Sequence, residues 1–244
     1  MRVRQTLAGL TALLLVMAGI IVGSGSATAA SYNEQKGPNQ SKRVVLTFDD
    51  CPLNLTDFWR VLEYAKNKND GHVFAITGNC LEKFRNNYGV DLAKLARAYG
   101  QYVINHSISH PADLRKLGCD GVAKELRAPG VVTNYGRPPH GAIDDTVRCG
   151  YAKVGMKPWL WTGSTVDWSG ISPAQIVSAA DKVAKPGAVI LMHMQWKGFN
   201  PDTISKIKGK LQAKGLSLCR AYRGMDNAGA IVTSPVKLPD SLPC

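Results

Sequence analysis

From residue 44 to residue 220 short apolar runs alternate with longer amphipathic stretches, and no other feature limits the fold as tightly. The apolar runs read as strands at Val44–Phe48, Val73–Thr77, Tyr102–Asn105, Val131–Tyr135 (the weakest), Pro158–Trp161, Ala188–Met192 and Leu216–Arg220. Between them the spacing predicts helices from a cap at Thr56 or Asp57 to about Lys66, over Asp91–Ala98, within Leu114–Arg127, and over Asp144–Val154, Pro173–Ala184 and Thr203–Ala213. About seven such units imply an α/β protein with a parallel sheet, closed as a barrel or doubly wound, because parallel strands are joined by crossover helices that cover the sheet. No internal repeat and no second domain is evident.

The first thirty residues stand outside this pattern. Arg2 and Arg4 precede an uncharged, largely apolar run from Leu7 to Val22, and Ala27-Thr28-Ala29 offers small residues to a peptidase. Residues 1–30 are therefore expected to be a cleaved signal peptide, with a signal anchor as the alternative that the short run disfavours. Residues 31–41 are polar and aperiodic and read as a linker, which leaves 42–244 as the domain, with a proline-punctuated tail from about 234. Cleavage takes two arginines and no acid, so the formal charge falls from +12 to +10 and favours an anionic surrounding such as a wall polymer. Lysine and arginine are not concentrated enough to form a nucleic-acid stripe. The expected product is secreted and extracellular, a monomer with no nucleic-acid partner and no stable membrane insertion after cleavage.

Six cysteines, at 51, 80, 119, 149, 219 and 244, lie in the exported part. The even count suggests disulfides while leaving their pairing open. No Cys-x-x-Cys is present, which argues against a thiolate zinc site or a redox motif. Cys244 is expected to tie down the tail through a disulfide.

Reactive side chains recur at the C-terminal ends of the proposed strands, where parallel α/β architectures build active sites. Asp49 and Asp50 close the first strand. Neighbouring strand residues point to opposite faces, so both acids serve one site only if the strand stops there and the loop turns them to the same side. Pro52 helps to stop it. His106 and His110 follow the third strand at the spacing that one helical turn would place on a single face. Two imidazoles and a carboxylate can hold zinc or another divalent transition metal and leave positions open. Arg137, Asp167 and His193 also sit at strand ends, whereas His72 precedes its strand and reads as structural or solvated.

Taken in order, Thr47-Phe48-Asp49-Asp50-Cys51-Pro52, His106-Ser107-Ile108-Ser109-His110, Arg137-Pro138-Pro139-His140-Gly141, Asp167-Trp168 and Leu191-Met192-His193 resemble the five motifs of the polysaccharide deacetylases, carbohydrate esterase family four. The resemblance spans about residues 42–220 and implies that family's distorted (β/α) barrel, with about seven parallel strands. It also implies metal ligation by Asp50, His106 and His110, with zinc first and cobalt, nickel or manganese as alternatives. Asp49 would be the general base and His193 the acid, Arg137 would orient Asp49, and Asp167 would hold His193. Trp168 and Leu191 would enclose the acetyl methyl, with Pro139 and His140 beside them and a backbone N–H near His140 facing the oxyanion. Trp196, in the aromatic stretch Gln195–Phe199 after His193, is a candidate for stacking on sugar.

The sequence departs from the family pattern at Cys51, where glycine is usual, at Ser164, where many members carry an aspartate, and at His140, which replaces a frequent tyrosine. None of these removes an implied ligand, base or acid. The expected function is hydrolysis of N-acetyl groups on an amino-sugar polymer, chitin oligomers or peptidoglycan. The alternatives are O-acetyl hydrolysis on acetylxylan and a non-catalytic metal- or carbohydrate-binding relative.

Overall fold

The structure, a computed structural model, describes residues 32–244, so the expected signal peptide lies outside the described residues. Seven strands form one parallel sheet: β1 (Val45–Asp50), β2 (Val73–Ile76), β3 (Tyr102–Asn105), β4 (Tyr135–Gly136), β5 (Lys157–Pro158), β6 (Gly163–Ser164) and β7 (Val189–His193). Their spatial order is β5-β4-β3-β2-β1-β7-β6. The sheet curls, and helices α1 (Leu55–Lys68), α2 (Gly78–Tyr88), α3 (Leu92–Ala98), α4 (Gly118–Glu125), α5 (Asp145–Lys153), α6 (Pro173–Val183) and α7 (Pro201–Ala213) complete a distorted (β/α) barrel. Among the described residues no helix is long and apolar enough to cross a membrane.

Strand alternation divides the core in two. Leu46, Phe48, Phe74, Ile76, Ile190 and Met192 face the helices and pack on residues such as Phe58 and Leu62 of α1 and Ile204 and Ile207 of α7. Val45, Val73, Ala75, Ile104 and Val189 face the barrel interior with Tyr135 and Trp159. The same parity turns Thr47, Asp49 and His193 inward, which is how polar chemistry enters an otherwise apolar barrel.

Several elements differ from expectation for identifiable reasons. Helix α1 begins two to three residues earlier than expected, because Asn54, rather than Thr56 or Asp57, caps it by accepting from Asp57 N. Helix α2 was not anticipated: its sequence is mostly polar, with Leu81, Phe84 and Cys80 turned inward, and it is bounded by Thr77 accepting from Cys80 N and by Gly89 at φ 65°. The strand expected over Val131–Tyr135 is reduced to Tyr135–Gly136 because side chains satisfy its backbone: Asn105 donates to Val131 O and Arg97 to Val132 O. The strand expected over Pro158–Trp161 ends at Pro158, since the Arg137 guanidinium takes the carbonyls of Trp159 and Leu160. Residues 163–164 add an edge strand, while the strand expected over Leu216–Arg220 contributes only a single bridge, Val44 to Leu218.

The ends of the domain pack against the barrel. In the stretch expected as a linker, Tyr32 donates to Pro158 O at 2.6 Å and Glu34 pairs with Arg148 at 2.7 Å. In the tail, Leu238, Leu242 and Cys244 are buried in the interior cluster, and Leu238 N donates to Asn134. Disulfides join Cys51 to Cys80, Cys119 to Cys149 and Cys219 to Cys244. The first ties the loop after β1 to α2 and the third anchors the tail. For loops of this length each contributes about 2–4 kcal/mol.

Candidate active site

Strands β1 and β7 are paired so that Asp49 and His193 are register partners. Both side chains point to the barrel interior and end at the same cavity, of about 430 Å³, at the C-terminal rim. Asp49 is nearly buried, and the fully buried Arg137 donates to its Oδ1 at 2.5 Å. Arg137 also donates to Thr47 Oγ1 and to the carbonyls of Trp159 and Leu160, so it fixes the carboxylate while bridging the link from β5 to β6. A buried guanidinium is tolerated only with such complete pairing.

Asp50 has the opposite parity and should face the helices. Its backbone enters the left-handed region at φ 72°, which turns its carboxylate back to the rim beside Asp49. Its Oδ1 lies 3.2 Å from His106 Nε2 and 3.3 Å from His110 Nε2. The three residues offer donor atoms within 4.8 Å of one another. Burial works against ionisation of Asp50, but the hydrogen bonds and charges of His106, Gln195 and His110 outweigh it and hold the carboxyl well below the usual range. His106 Nδ1 faces the Arg137 carbonyl at 2.8 Å, which places the proton on Nδ1 in the neutral ring and leaves the Nε2 lone pair free for a ligand. The donor set therefore fits a divalent cation.

The two imidazoles do not share a helical turn, contrary to the expectation from their spacing. Residues 106–110 form a loop, with Ser107 at φ 64° and His110 at φ 54°. Side chains build it: Ser107 N donates to Asn105 Oδ1, His110 N to Ser107 Oγ, and Ile108 and Ser109 N to Glu125 of α4. Burial opposes protonation of His106, yet Asp49 and Asp50 raise its pKa; burial and the His106 charge lower that of His110.

Across the cavity, Asp167 accepts twice from His193, from Nδ1 at 2.8 Å and from the backbone N–H at 2.8 Å. Burial disfavours the His193 cation, but Asp167 and the charges of Asp49 and Asp50 prevail and raise its pKa. Asp167 is aimed by Val166, a β-branched residue held at φ 51°, a conformation that costs about 1–2 kcal/mol. Of the seven described non-glycine residues at positive φ, Asp50, His110 and His140 line this cavity, and Ser107 and Val166 directly adjoin His106 and Asp167 in sequence, so backbone strain concentrates where side chains must be re-aimed.

Trp168 lies edge-on to the His193 ring at 5.2 Å, and Leu191 and Trp196 also line the cavity. His140, at φ 58°, lines it with its ring 4.6 Å from that of His110. Pro139 is buried and is not among the lining residues, and Phe199 belongs to the core against Phe48 at 5.1 Å. Cys51 is held in its disulfide and is no thiolate donor. Ser164 accepts from Val166 N at 3.1 Å, supporting the strained turn rather than His193. His72 is fully buried, edge-on to Phe48 at 5.6 Å, and is structural.

Three participants escaped the reading of the sequence. Gln195 Nε2 donates to Asp50 Oδ2 at 2.5 Å, holding the oxygen that His106 and His110 do not face. Trp161 walls the cavity and lies 5.9 Å from the Arg137 guanidinium. Thr47 links Arg137 to the Ile190 carbonyl. Only Thr47 carried a signal, its place two residues before Asp49 on the same strand face.

Fold and site together define a class of protein: a distorted (β/α) barrel with a divalent-cation donor set and a carboxylate–imidazole pair at the C-terminal ends of its strands. The profile of the polysaccharide deacetylase family matches residues 36–159. A peptidoglycan-N-acetylglucosamine deacetylase of Bacillus cereus is 30% identical over 208 residues, covering 78% of this chain and 73% of that protein. A chitooligosaccharide deacetylase of Rhizobium leguminosarum bv. trifolii is 27% identical, covering 70% and 78%. Among solved structures, a family 4 carbohydrate esterase from Streptomyces lividans in complex with acetate superposes with a TM-score of 0.62 at 28% identity, covering 72% of this chain and 91% of that one. The chain belongs to the polysaccharide deacetylase family.

Proposed function

We propose that the protein is a secreted, divalent-metal-dependent deacetylase that hydrolyses N-acetyl groups of an amino-sugar polymer, chitin oligomers or peptidoglycan. The observation that carries this reading is the in-register pair Asp49 and His193 at the edge of the Asp50, His106 and His110 donor set. Asp50, His106 and His110 would hold the cation, zinc by first expectation, with cobalt, nickel and manganese suited to the same donors. When bound, such a cation supplies Lewis acidity toward the acetyl carbonyl and acidifies water.

The residues divide the proton work. Asp49, oriented by Arg137, takes a proton from the attacking water as the new C–O bond forms. His193, whose cation Asp167 favours, delivers a proton to the departing amine as the C–N bond breaks, so acetate and a free amino sugar result. A backbone N–H near His140 would donate to the developing oxyanion. Trp168 and Leu191 exclude water around the methyl group, and Trp161 and Trp196 present aromatic faces to the sugar. Three disulfides in the described chain support export to an oxidising compartment.

The test is acetate release by the purified protein from N-acetylglucosamine oligomers, peptidoglycan and acetylxylan. Release from either amino-sugar substrate supports the assignment. Release from acetylxylan alone replaces it with an O-acetyl esterase, and release from none, with metal bound, leaves a binding protein.

A further inference from the structure

The five tryptophans divide by place. Trp159 is buried in the core, Trp161, Trp168 and Trp196 line the catalytic cavity, and Trp59 is 41% exposed on α1. Trp59 lines a second groove, of about 480 Å³, together with Tyr88 of α2, which is 51% exposed. Both rings are held in place. The Trp59 indole N–H donates to Glu63 at 3.1 Å and its ring meets Tyr99 edge-on at 6.3 Å, while Tyr88 packs on Phe84 at 5.3 Å. Leu55, Thr56 and Arg60 also line it, and Arg60 has no carboxylate partner among the described residues. Rigid aromatic faces rimmed by a guanidinium, a carboxylate and a hydroxyl match the two surfaces of a pyranose, apolar C–H faces and a belt of hydroxyls.

This groove begins close in sequence to the catalytic loop. Asn54, which caps α1 and lines the groove, follows Asp50 by four residues, a reach of at most about 14 Å. The Cys51–Cys80 disulfide ties that loop to α2, so one covalent link fixes both walls relative to the catalytic carboxylates. We propose that the groove between α1 and α2 is a second saccharide-binding site, taking pyranose units of a polymer whose acetylated residue lies in the catalytic cavity. The proposal rests on the deacetylase reading and extends it to a preference for long substrates.

The experiment compares the wild-type chain with a Trp59→Ala/Tyr88→Ala double variant, and with Trp59→Phe/Tyr88→Phe, which keeps the rings. Acetate release is measured on colloidal chitin and on the N-acetylglucosamine dimer, and retention of each protein on the insoluble polymer is measured separately. The expected result is a KM on polymer raised about tenfold and retention lost in the alanine variant, with activity on the dimer and melting temperature unchanged and the phenylalanine variant close to wild type. Equal effects on polymer and dimer, or unchanged retention, overturn the second site. A wild-type protein that releases no acetate yet loses retention through the alanine pair supports the site and refutes the activity.

Discussion

Asp49 and His193 face each other across adjacent parallel strands, in register, with both side chains turned into the barrel. One is clamped by Arg137 and the other by Asp167, so the proposed base and the proposed acid are each oriented by an opposite charge. Asp49→Asn keeps the shape and the metal donors but removes the proposed base. Turnover is expected to fall about 10²- to 10⁴-fold with metal stoichiometry unchanged. The variant also leaves the buried Arg137 charge without its counter-ion, so its melting temperature falls. Acetate release beside metal analysis checks this, and full activity with bound metal contradicts the assignment.

In the proposed mechanism His193 is the acid and must be protonated, so activity should decline as pH rises through its pKa. Burial lowers that pKa, but Asp167 and the neighbouring acids hold it above the ordinary 6.5. Asp167→Asn removes the largest raising influence, and the alkaline limb of the kcat profile should move toward lower pH. An unshifted limb would assign the acid elsewhere.

Gln195 fixes the second oxygen of Asp50, and its side chain makes no hydrogen bond to an imidazole. Loss of such a support typically weakens a metal site about 10- to 100-fold, so Gln195→Ala should raise the zinc Kd by that factor in calorimetric titration. In wild type the affinity should also fall with acidity, because His106 must lose its proton to bind and its pKa is raised. An affinity independent of pH would argue against histidine ligation.

His72 is buried and neutral, its pKa pushed down to about 3 by burial and by Lys208. The unfolded chain takes up that proton near 6.5, so the folded state loses stability as pH falls from 6.5 toward 3. At pH 4.5 the loss amounts to about 2–3 kcal/mol. His72→Leu should flatten this acid limb in denaturant melts at pH 7.5 and 4.5, and an unchanged limb would place the sensitivity in other groups.

The central strands were legible because Leu46, Phe48, Phe74 and Ile190 are apolar on the helix side while Val45, Val73 and Val189 are apolar on the other. The two-residue strands β4, β5 and β6 carry no periodic signal, and their limits are set by the distant side chains of Asn105, Arg97 and Arg137. The candidate site was legible where it follows strand parity, as at Asp49 and His193. Its local geometry was opaque where the backbone is bent to left-handed φ, as in the loop that carries His110 and at Val166, and where a loop side chain such as Gln195 crosses to Asp50, because these depend on packing that no local pattern encodes.

The central claim is that Asp50, His106 and His110 hold a cation without which Asp49 and His193 do not deacetylate. It is tested most directly by acetate release from N-acetylglucosamine oligomers before chelation, after exhaustive chelation, and after zinc is restored. Release should fall to background on chelation and return with zinc. Undiminished release from metal-free protein would contradict it.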